Sequence, residues 1–255
     1  MAVNLSDQIK DLHRDIYAAK QSILARLKTD RSRARGALNR ELHMLRRGSE
    51  PQYVYGSQAG QDMIVDRILG GKRDGVFIDI GGFDGVTGSN TLFFEQMRGW
   101  SGVLVEPVGS QIAKARQARK CDCLRYAVAD ENGTAEFVAV TQGYTQMSGL
   151  VKSYDPDLLK TVRHDPRHVE ELVQVETRRL SDILIEAGHK HPDFVSLDIE
   201  GAETAVLRDF PFADHRVAVW AIENNSASPE IGQIMRNAGY DLMDFAGPDE
   251  IYRLR

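Results

Sequence analysis

Val76-Phe77-Ile78-Asp79-Ile80-Gly81-Gly82-Phe83-Asp84-Gly85 is an apolar β run that carries an acid and breaks into a glycine-rich turn. It is answered by Val103-Leu104-Val105-Glu106, whose acid lies 21 residues past Gly85. A helical stretch of about residues 89–98, opening at Ser89 or Asn90, separates the two runs. Two adjacent parallel strands joined by a crossover helix place a nucleoside at their carboxyl ends. The glycines let the backbone pass close to a ligand. The acid at the second tip can accept hydrogen bonds from both ribose hydroxyls.

The turn also says which nucleoside to expect. A dinucleotide fingerprint needs G-x-G-x-x-G, so that a helix N-terminus can approach a pyrophosphate. Phe83 stands where the second glycine belongs, Asp79 precedes the turn and Asp84 lies within it. Those acids repel phosphate and suit a ligand that carries an amine and a sulfonium. S-adenosylmethionine has that chemistry.

With 255 residues, 42% of them hydrophobic, the chain can build one large domain or a domain with an appendage. The net charge of −5 argues against general nucleic-acid affinity. The charge is uneven: residues 1–50 hold eleven Lys/Arg against six Asp/Glu, so a basic appendage precedes an acidic body. Cys121 and Cys123, the only cysteines, are too close for an ordinary disulfide, lack zinc-ligand partners and read as packing thiols. The first 30 residues lack a secretory apolar core, and no run is long enough to span a membrane. A cytoplasmic protein without stable membrane insertion is expected.

Leu5, Ile9, Leu12, Ile16, Ala19 and Ile23 step by four and three, predicting a helix over 4–28, capped by Asn4 or Ser6, with a heptad seam. A second helix, about 33–47, carries Leu38, Leu42 and Leu45, and Gly48–Pro51 reads as a linker. This region is expected to pack on the body or to form a homo-oligomer; a basic helix on an anionic membrane surface is the competing reading. The domain boundaries are thus 1–50 and 51–255.

In the body a helix over 57–69 precedes strand one. Strand two spans about 102–106, a helix about 109–119 and strand three about 122–128. Asp130-Glu131-Asn132-Gly133 turns into a strand at 134–140, forming a hairpin with the preceding strand. Residues 141–171, irregular and proline-interrupted, read as a lid. Residues 172–177 are a candidate partner for 134–140. A short helix (181–187), strand four (194–198), strand five (217–222), a helix (229–238) and a closing antiparallel pair (240–245, 250–254) complete the chain. The class is α/β, a parallel sheet wrapped by helices on both faces.

From Gly56-Ser57-Gln58-Ala59-Gly60-Gln61-Asp62 onward the chain resembles the FkbM-type methyltransferases, a branch of the class I S-adenosylmethionine-dependent enzymes. The resemblance continues through Phe77–Gly85, Ser89-Asn90-Thr91, Gly99–Gly102, Val105-Glu106-Pro107, Ser196–Glu203, Glu223-Asn224 and Asp249–Tyr252. It spans about 53–255 and leaves out 1–50. Gln61 departs from the family pattern, which often has Glu there. The resemblance implies a Rossmann-like methyltransferase sheet and O-methylation of a sugar or polyketide hydroxyl.

On this reading Asp79 or Asp84 faces the methionine amine, Gly81 and Gly82 line methionine and ribose, and Glu106 holds the ribose. Ala127, Val128 and Asp130 flank adenine, Gln58 and Asp62 close over the methionine end, and Ser89 and Asn90 join the cofactor set. A hydroxyl acceptor needs a base or a metal at neutral pH. Asp198, Glu223 and Asn224, at the tips of strands four and five, form a candidate set for Mg²⁺ or another hard divalent cation, similar to that of catechol O-methyltransferase-like enzymes. Glu200 is a candidate base, and Glu203 reads first as a helix-dipole residue. Arg163, His164, Arg167 and His168 read as a solvated lid face, with an anionic substrate as the sharper option. The expected partner is a small-molecule or glycan acceptor. The rivals are a non-catalytic scaffold assembled through the N-terminal helices and a methyltransferase for amines or nucleic acid. Asp198-Ile199-Glu200-Gly201 stands where base N-methylating enzymes carry an Asn/Asp-Pro-Pro-aromatic turn.

Overall fold

The computed structural model describes residues 5–255. Asn4, a candidate helix cap, lies outside them.

The central strand is β1 (Val76–Ile80), flanked in parallel by β2 (Ser101–Val105) and β8 (Phe194–Leu197). β3 (Asp122–Leu124) extends the sheet beyond β2, and β9 (Val219–Ile222) extends it beyond β8. β11 (Asp249–Leu254) adds antiparallel to β9, and β10 (Tyr240–Ala246) closes the edge. The order is β10-β11-β9-β8-β1-β2-β3. The chain runs outward from β1 to β3 and then returns to the other side of β1, so the order reverses between β1 and β8. Open α/β sheets bind ligands at the carboxyl side of such a reversal.

Strand side chains alternate between the two faces. Ile78, Ile80, Val103 and Val195 pack on one face under α7 (Leu180–Glu186), α8 (Glu203–Asp209) and α9 (Pro229–Asn237). Phe77, Phe194 and Val219 pack on the other under α3 (Gln61–Ile68) and α4 (Leu92–Arg98). Leu104 on that same face meets α5 (Gly109–Ala118). Trp100 and Trp220 are buried in these cores.

Several expected elements differ. Strand three is two short strands in different sheets: β3 pairs with β2, while β4 (Ala127–Val128) pairs parallel with β7 (Val169–Arg178). The expected hairpin is absent from 122–140. Asn132 spends its side chain on the Arg179 amide (2.7 Å) and on Asp182 (2.8 Å), which ties the turn to the start of α7. The true partner of β5 (Gly133–Gln142) is β7, antiparallel, which includes the foreseen pairing of 134–140 with 172–177. The second sheet is therefore β4-β7-β5-β6, with β6 spanning Gly149–Leu150. The lid segment is more regular than its composition suggests. β5 and β7 run into its two ends, and α6 (Pro156–Arg163) lies in the middle, with the Asp155 carboxylate accepting from the Asp157 and Leu158 amides. α3 starts four residues later than expected, because Asp62 draws residues 56 and 57 into a loop.

α1 (Leu5–Thr29) and α2 (Arg35–Ser49) form a helical hairpin. Ile23 is buried against Leu38 and Leu42, whereas Leu5, Ile9 and Leu12 at the outer end of the seam are exposed. α2 docks on β10: Arg35 makes a bidentate pair with buried Asp244 (2.8 and 2.8 Å), and Asn39 donates to Asp244 and to the Phe245 carbonyl. No described helix is long and apolar enough to cross a membrane.

Candidate active site

A cleft opens at the carboxyl ends of β1, β2, β8 and β9. Glu106, just beyond β2, is buried in its wall. Its two oxygens accept from the Phe83 amide (3.1 Å) and the Val108 amide (2.8 Å), which fixes the carboxylate while each oxygen keeps a lone pair. Burial pushes it up to about 7, against the pull of the two amides. Gly81 and Gly82 line the cleft, but their need for glycine is internal. Gly81 has φ +77°, and a Cβ there would lie 1.8 Å from the Asp198 carbonyl oxygen; one on Gly82 would lie 2.4 Å from Leu104. Gly81 brings the tip of β1 against that of β8, and Gly82 brings it against Leu104 of β2.

Asp79 lines the cleft from β1 and is buried. It accepts from Thr91 Oγ1 at 2.5 Å and from Ser89 Oγ at 3.4 Å, and Arg119 stands at 3.7 Å. Burial raises its pKa while Arg119 opposes the rise. Fully buried Arg119 also bonds the Gly85 carbonyl and Glu95, so one guanidinium ties the turn to α4. Sequence reading missed Arg119, whose place at the end of α5 carries no motif. Ser89 caps α4 by accepting from the Thr91 and Leu92 amides. Asn90 donates to Ser196 Oγ at 2.9 Å, and its own Oδ1 is buried in the cleft wall without a partner. Gln58, exposed at the mouth, also lines the cleft.

Two expected cofactor residues are spent elsewhere. Asp84 accepts from the Val86 and Thr87 amides and the Thr87 hydroxyl, which organises the turn and holds its pKa low. Asp62 is buried and accepts from the Gly56, Ser57 and Met63 amides and the Ser57 hydroxyl. Neither lines the cleft. Ala127 and Val128 do, joined by Tyr126, Phe137 and Thr145–Ser148 of the lid. Asp130 instead approaches Lys152 at 3.8 Å.

At the tips of β8 and β9 the acids converge. Ligand oxygens of Asp198, Glu203 and Glu223 lie within 4.8 Å of one another. Glu203 therefore replaces Asn224 in the expected metal set. The Asn224 amide is consumed by the Ser228 carbonyl (3.0 Å), the Ser228 amide (2.8 Å) and Glu250 (2.9 Å). Burial pushes Asp198 up to about 7, helped by the Asp249 charge and opposed by its hydrogen bond with Glu223; Glu203 also sits at about 7. Glu200 and Glu223 are driven well above the carboxylate range by burial and by Asp198. Glu200 holds φ +54°, a costly conformation for a non-glycine residue. Its Oε2 is buried without a partner. Asp249, buried and accepting from Gln61 at 3.1 Å, is a further acid of the cleft that spacing alone did not reveal. Such a set can hold a divalent cation or share protons among its members.

The basic groups of the lid are held by its own acids and carbonyls. α6 ends at Arg163, His168 meets Glu170 at 2.8 Å, and Arg163 and Arg167 are engaged by Glu170 and Asp165. Cys121 and Cys123 are free thiols whose pKa burial raises.

The sequence matches the Methyltransferase FkbM domain over residues 79–242, well over half of the chain. Among curated proteins it is 30% identical over 149 residues to the 2-O-methyltransferase NoeI of Sinorhizobium fredii (strain NBRC 101917 / NGR234). That match covers 53% of this chain and 57% of NoeI, so the chain spans little more than half the length of this relative. Among solved structures, the methyltransferase FkbM from Methylobacillus flagellatus KT aligns with a TM-score of 0.46 at 15% identity, covering 96% of this chain and 60% of that one. A TehB-like SAM-dependent methyltransferase from Corynebacterium glutamicum ATCC 13032 Kitasato aligns with a TM-score of 0.38 at 10% identity, over 88% of this chain and 100% of the other. On the extent of the domain match, the chain belongs to the FkbM methyltransferase family.

Proposed function

We propose that this chain is an S-adenosylmethionine-dependent O-methyltransferase acting on a hydroxyl of a sugar, glycan or related natural product. The observation that carries the reading is the gathering of acids in the cleft. Asp79, Glu106, Asp198, Glu200, Glu223 and Asp249 line it, and Arg40 is the one Lys or Arg among the described residues that does so. A pyrophosphate would meet carboxylates at every strand tip. A ligand with a cationic amine and sulfonium favours the ionised form of these acids and is complementary to it. The unpartnered Asn90 Oδ1 offers an acceptor to an amine or hydroxyl, and the fixed Glu106 carboxylate offers two to a diol.

S-adenosylmethionine, when bound, supplies an electrophilic methyl group. The chain's part is to orient, exclude water and handle a proton. Glu106 and Asn90 orient the donor, and Met147 and Ser148 of the lid shield it. In-line displacement needs the acceptor oxygen about 3 Å from the methyl carbon. The acids at the tips of β8 and β9 are the groups able to fix that oxygen and take its proton. Their donor set also fits a hard cation such as Mg²⁺, with Asp198, Glu203 and Glu223 as its ligands. The name of the relative, a 2-O-methyltransferase, supports oxygen as the acceptor atom.

Calorimetry with S-adenosylmethionine tests the reading. Binding is expected, and Glu106→Ala should weaken it without unfolding the protein. Absence of binding at about 1 mM, an affinity weaker than about −4 kcal/mol, would overturn it.

A further inference from the structure

A second cavity lies beyond the acids. It has a volume of about 380 Å³, at the small end of the roughly 300–1,000 Å³ of ligand pockets. Glu223 is the one described residue that lines both it and the cleft. Its walls come from the segment after β6, from the start of α8 and from the loop after β9.

The lid is built across both spaces. Thr145–Ser148 border the cleft, and the chain from Lys152 to Pro156 borders the second cavity. Gly201 allows that placement: a Cβ on it would lie 2.6 Å from the Ser153 carbonyl oxygen, so only glycine admits the lid this close to the turn after β8. Tyr154 donates to the Met147 carbonyl and holds the two lid stretches in one fixed relation.

The lining of the second cavity has a definite chemistry. Ser153, whose Oγ has no hydrogen-bond partner, is part of its wall. Thr204 and Asn225 add hydroxyl and amide groups, Lys152, Asp155 and Glu203 add charged groups able to bond sugar hydroxyls, and Leu158 and Ile231 add apolar surface. Hydroxyl and amide groups around an apolar patch match a pyranose, which carries hydroxyls around its rim and C–H groups on its faces. A flat aromatic acceptor would leave those polar groups unmatched.

We propose that this second cavity is the acceptor site and takes a single glycosyl unit, whose hydroxyl reaches the cleft past Glu223. The assignment rests on the methyltransferase reading above. It makes Ser153, Thr204 and Asn225 specificity-determining residues with no contact to the donor.

Saturation-transfer NMR on the full chain tests it, with methyl α-D-mannopyranoside, methyl β-D-galactopyranoside and catechol as probes. S-adenosylhomocysteine affinity is measured in parallel by calorimetry. Wild type should transfer saturation to at least one pyranoside. Thr204→Trp, which fills the cavity, should weaken that binding at least about tenfold and leave S-adenosylhomocysteine affinity unchanged. If Thr204→Trp does not fold, Asn225→Ala decides, with a several-fold loss expected. The proposal is overturned by transfer to neither pyranoside, by transfer to catechol alone, or by pyranoside binding undiminished in the deciding variant. Pyranoside binding lost in the variant of a protein that never binds S-adenosylhomocysteine would sink the donor reading and leave the glycosyl site standing.

Discussion

Glu106 couples a buried charge to ligand binding, and its pH dependence has a definite sign. Burial holds it at about 7 in the ligand-free protein. Ribose hydroxyls donate, so they favour the ionised form and lower that pKa on binding. Binding therefore releases a proton, and affinity for S-adenosylmethionine should rise with pH up to about 7 and level off above it. Calorimetry in buffers of different ionisation enthalpy measures the release, and Glu106→Gln should remove it. Gly81 makes the second prediction at this scale. Gly81→Ala adds a Cβ against the Asp198 carbonyl in a left-handed conformation. It should cost at least ~2 kcal/mol, read as a lowered denaturation midpoint; an unchanged midpoint would mean that the two strand tips can separate. Much of this residue scale was legible: Glu106, Asp79 and Asp198 follow from acids placed at the ends of apolar runs. The fates of Asp62, Asp84 and Asn224 were not. All three are short polar side chains beside free backbone amides or carbonyls, and local hydrogen bonds captured them first. No spacing rule distinguishes a carboxylate that caps a turn from one that faces a ligand.

Among the elements, α2 is the one whose role changes most between sequence and structure. Composition sets residues 1–50 apart as a basic appendage, yet α2 reaches the edge of the cleft. Arg33, just before α2, bonds Glu250 and the carbonyls of Asn224 and Pro248, the immediate neighbours of Glu223 and Asp249. Arg40 lines the cleft itself. Docking depends on Arg35 and Asp244, a pair almost removed from water. Arg35→Ala should cost about 3 kcal/mol, because it strips a buried carboxylate of its main partner. Asp244 is held below its ordinary value by Arg35 and the Phe245 amide against the opposing effect of burial. Its contribution is therefore present above the unfolded carboxylate value of about 3.9 and lost as pH falls through the lower folded value. The melting-temperature gap between wild type and Asp244→Asn should close in acid. Deleting α1 alone should spare cofactor binding, while deleting α1 and α2 together should impair it. Heptad spacing found α1 and α2, but spacing has no information on what a helix docks against. The lid escaped for a related reason: β6 is two residues long and is held by its pairing with β5, and α6, although Asp155-Pro156 is a readable start, is short and packs on β5.

Taken as a whole, the molecule gathers acids that repel one another, and that repulsion has a thermodynamic consequence. Asp198, Glu203 and Asp249 sit at about 7 in the folded chain, far above their unfolded values, chiefly because they are buried. The folded state therefore holds more protons than the unfolded state between about pH 4 and about pH 7, and its stability falls as pH rises through that window. The metal-free protein should melt at lower temperature at about pH 8 than at about pH 5. A cation held by Asp198, Glu203 and Glu223 binds the ionised carboxylates that protons vacate. Added Mg²⁺ should thus raise the melting temperature at the alkaline end and do little at the acid end, where protons already occupy the oxygens. Asp198→Asn should flatten the metal-free pH slope and remove the Mg²⁺ response together. A Mg²⁺-independent melting temperature at about pH 8, with methyl transfer untouched by EDTA, would leave the acids as ligands of substrate and protons alone.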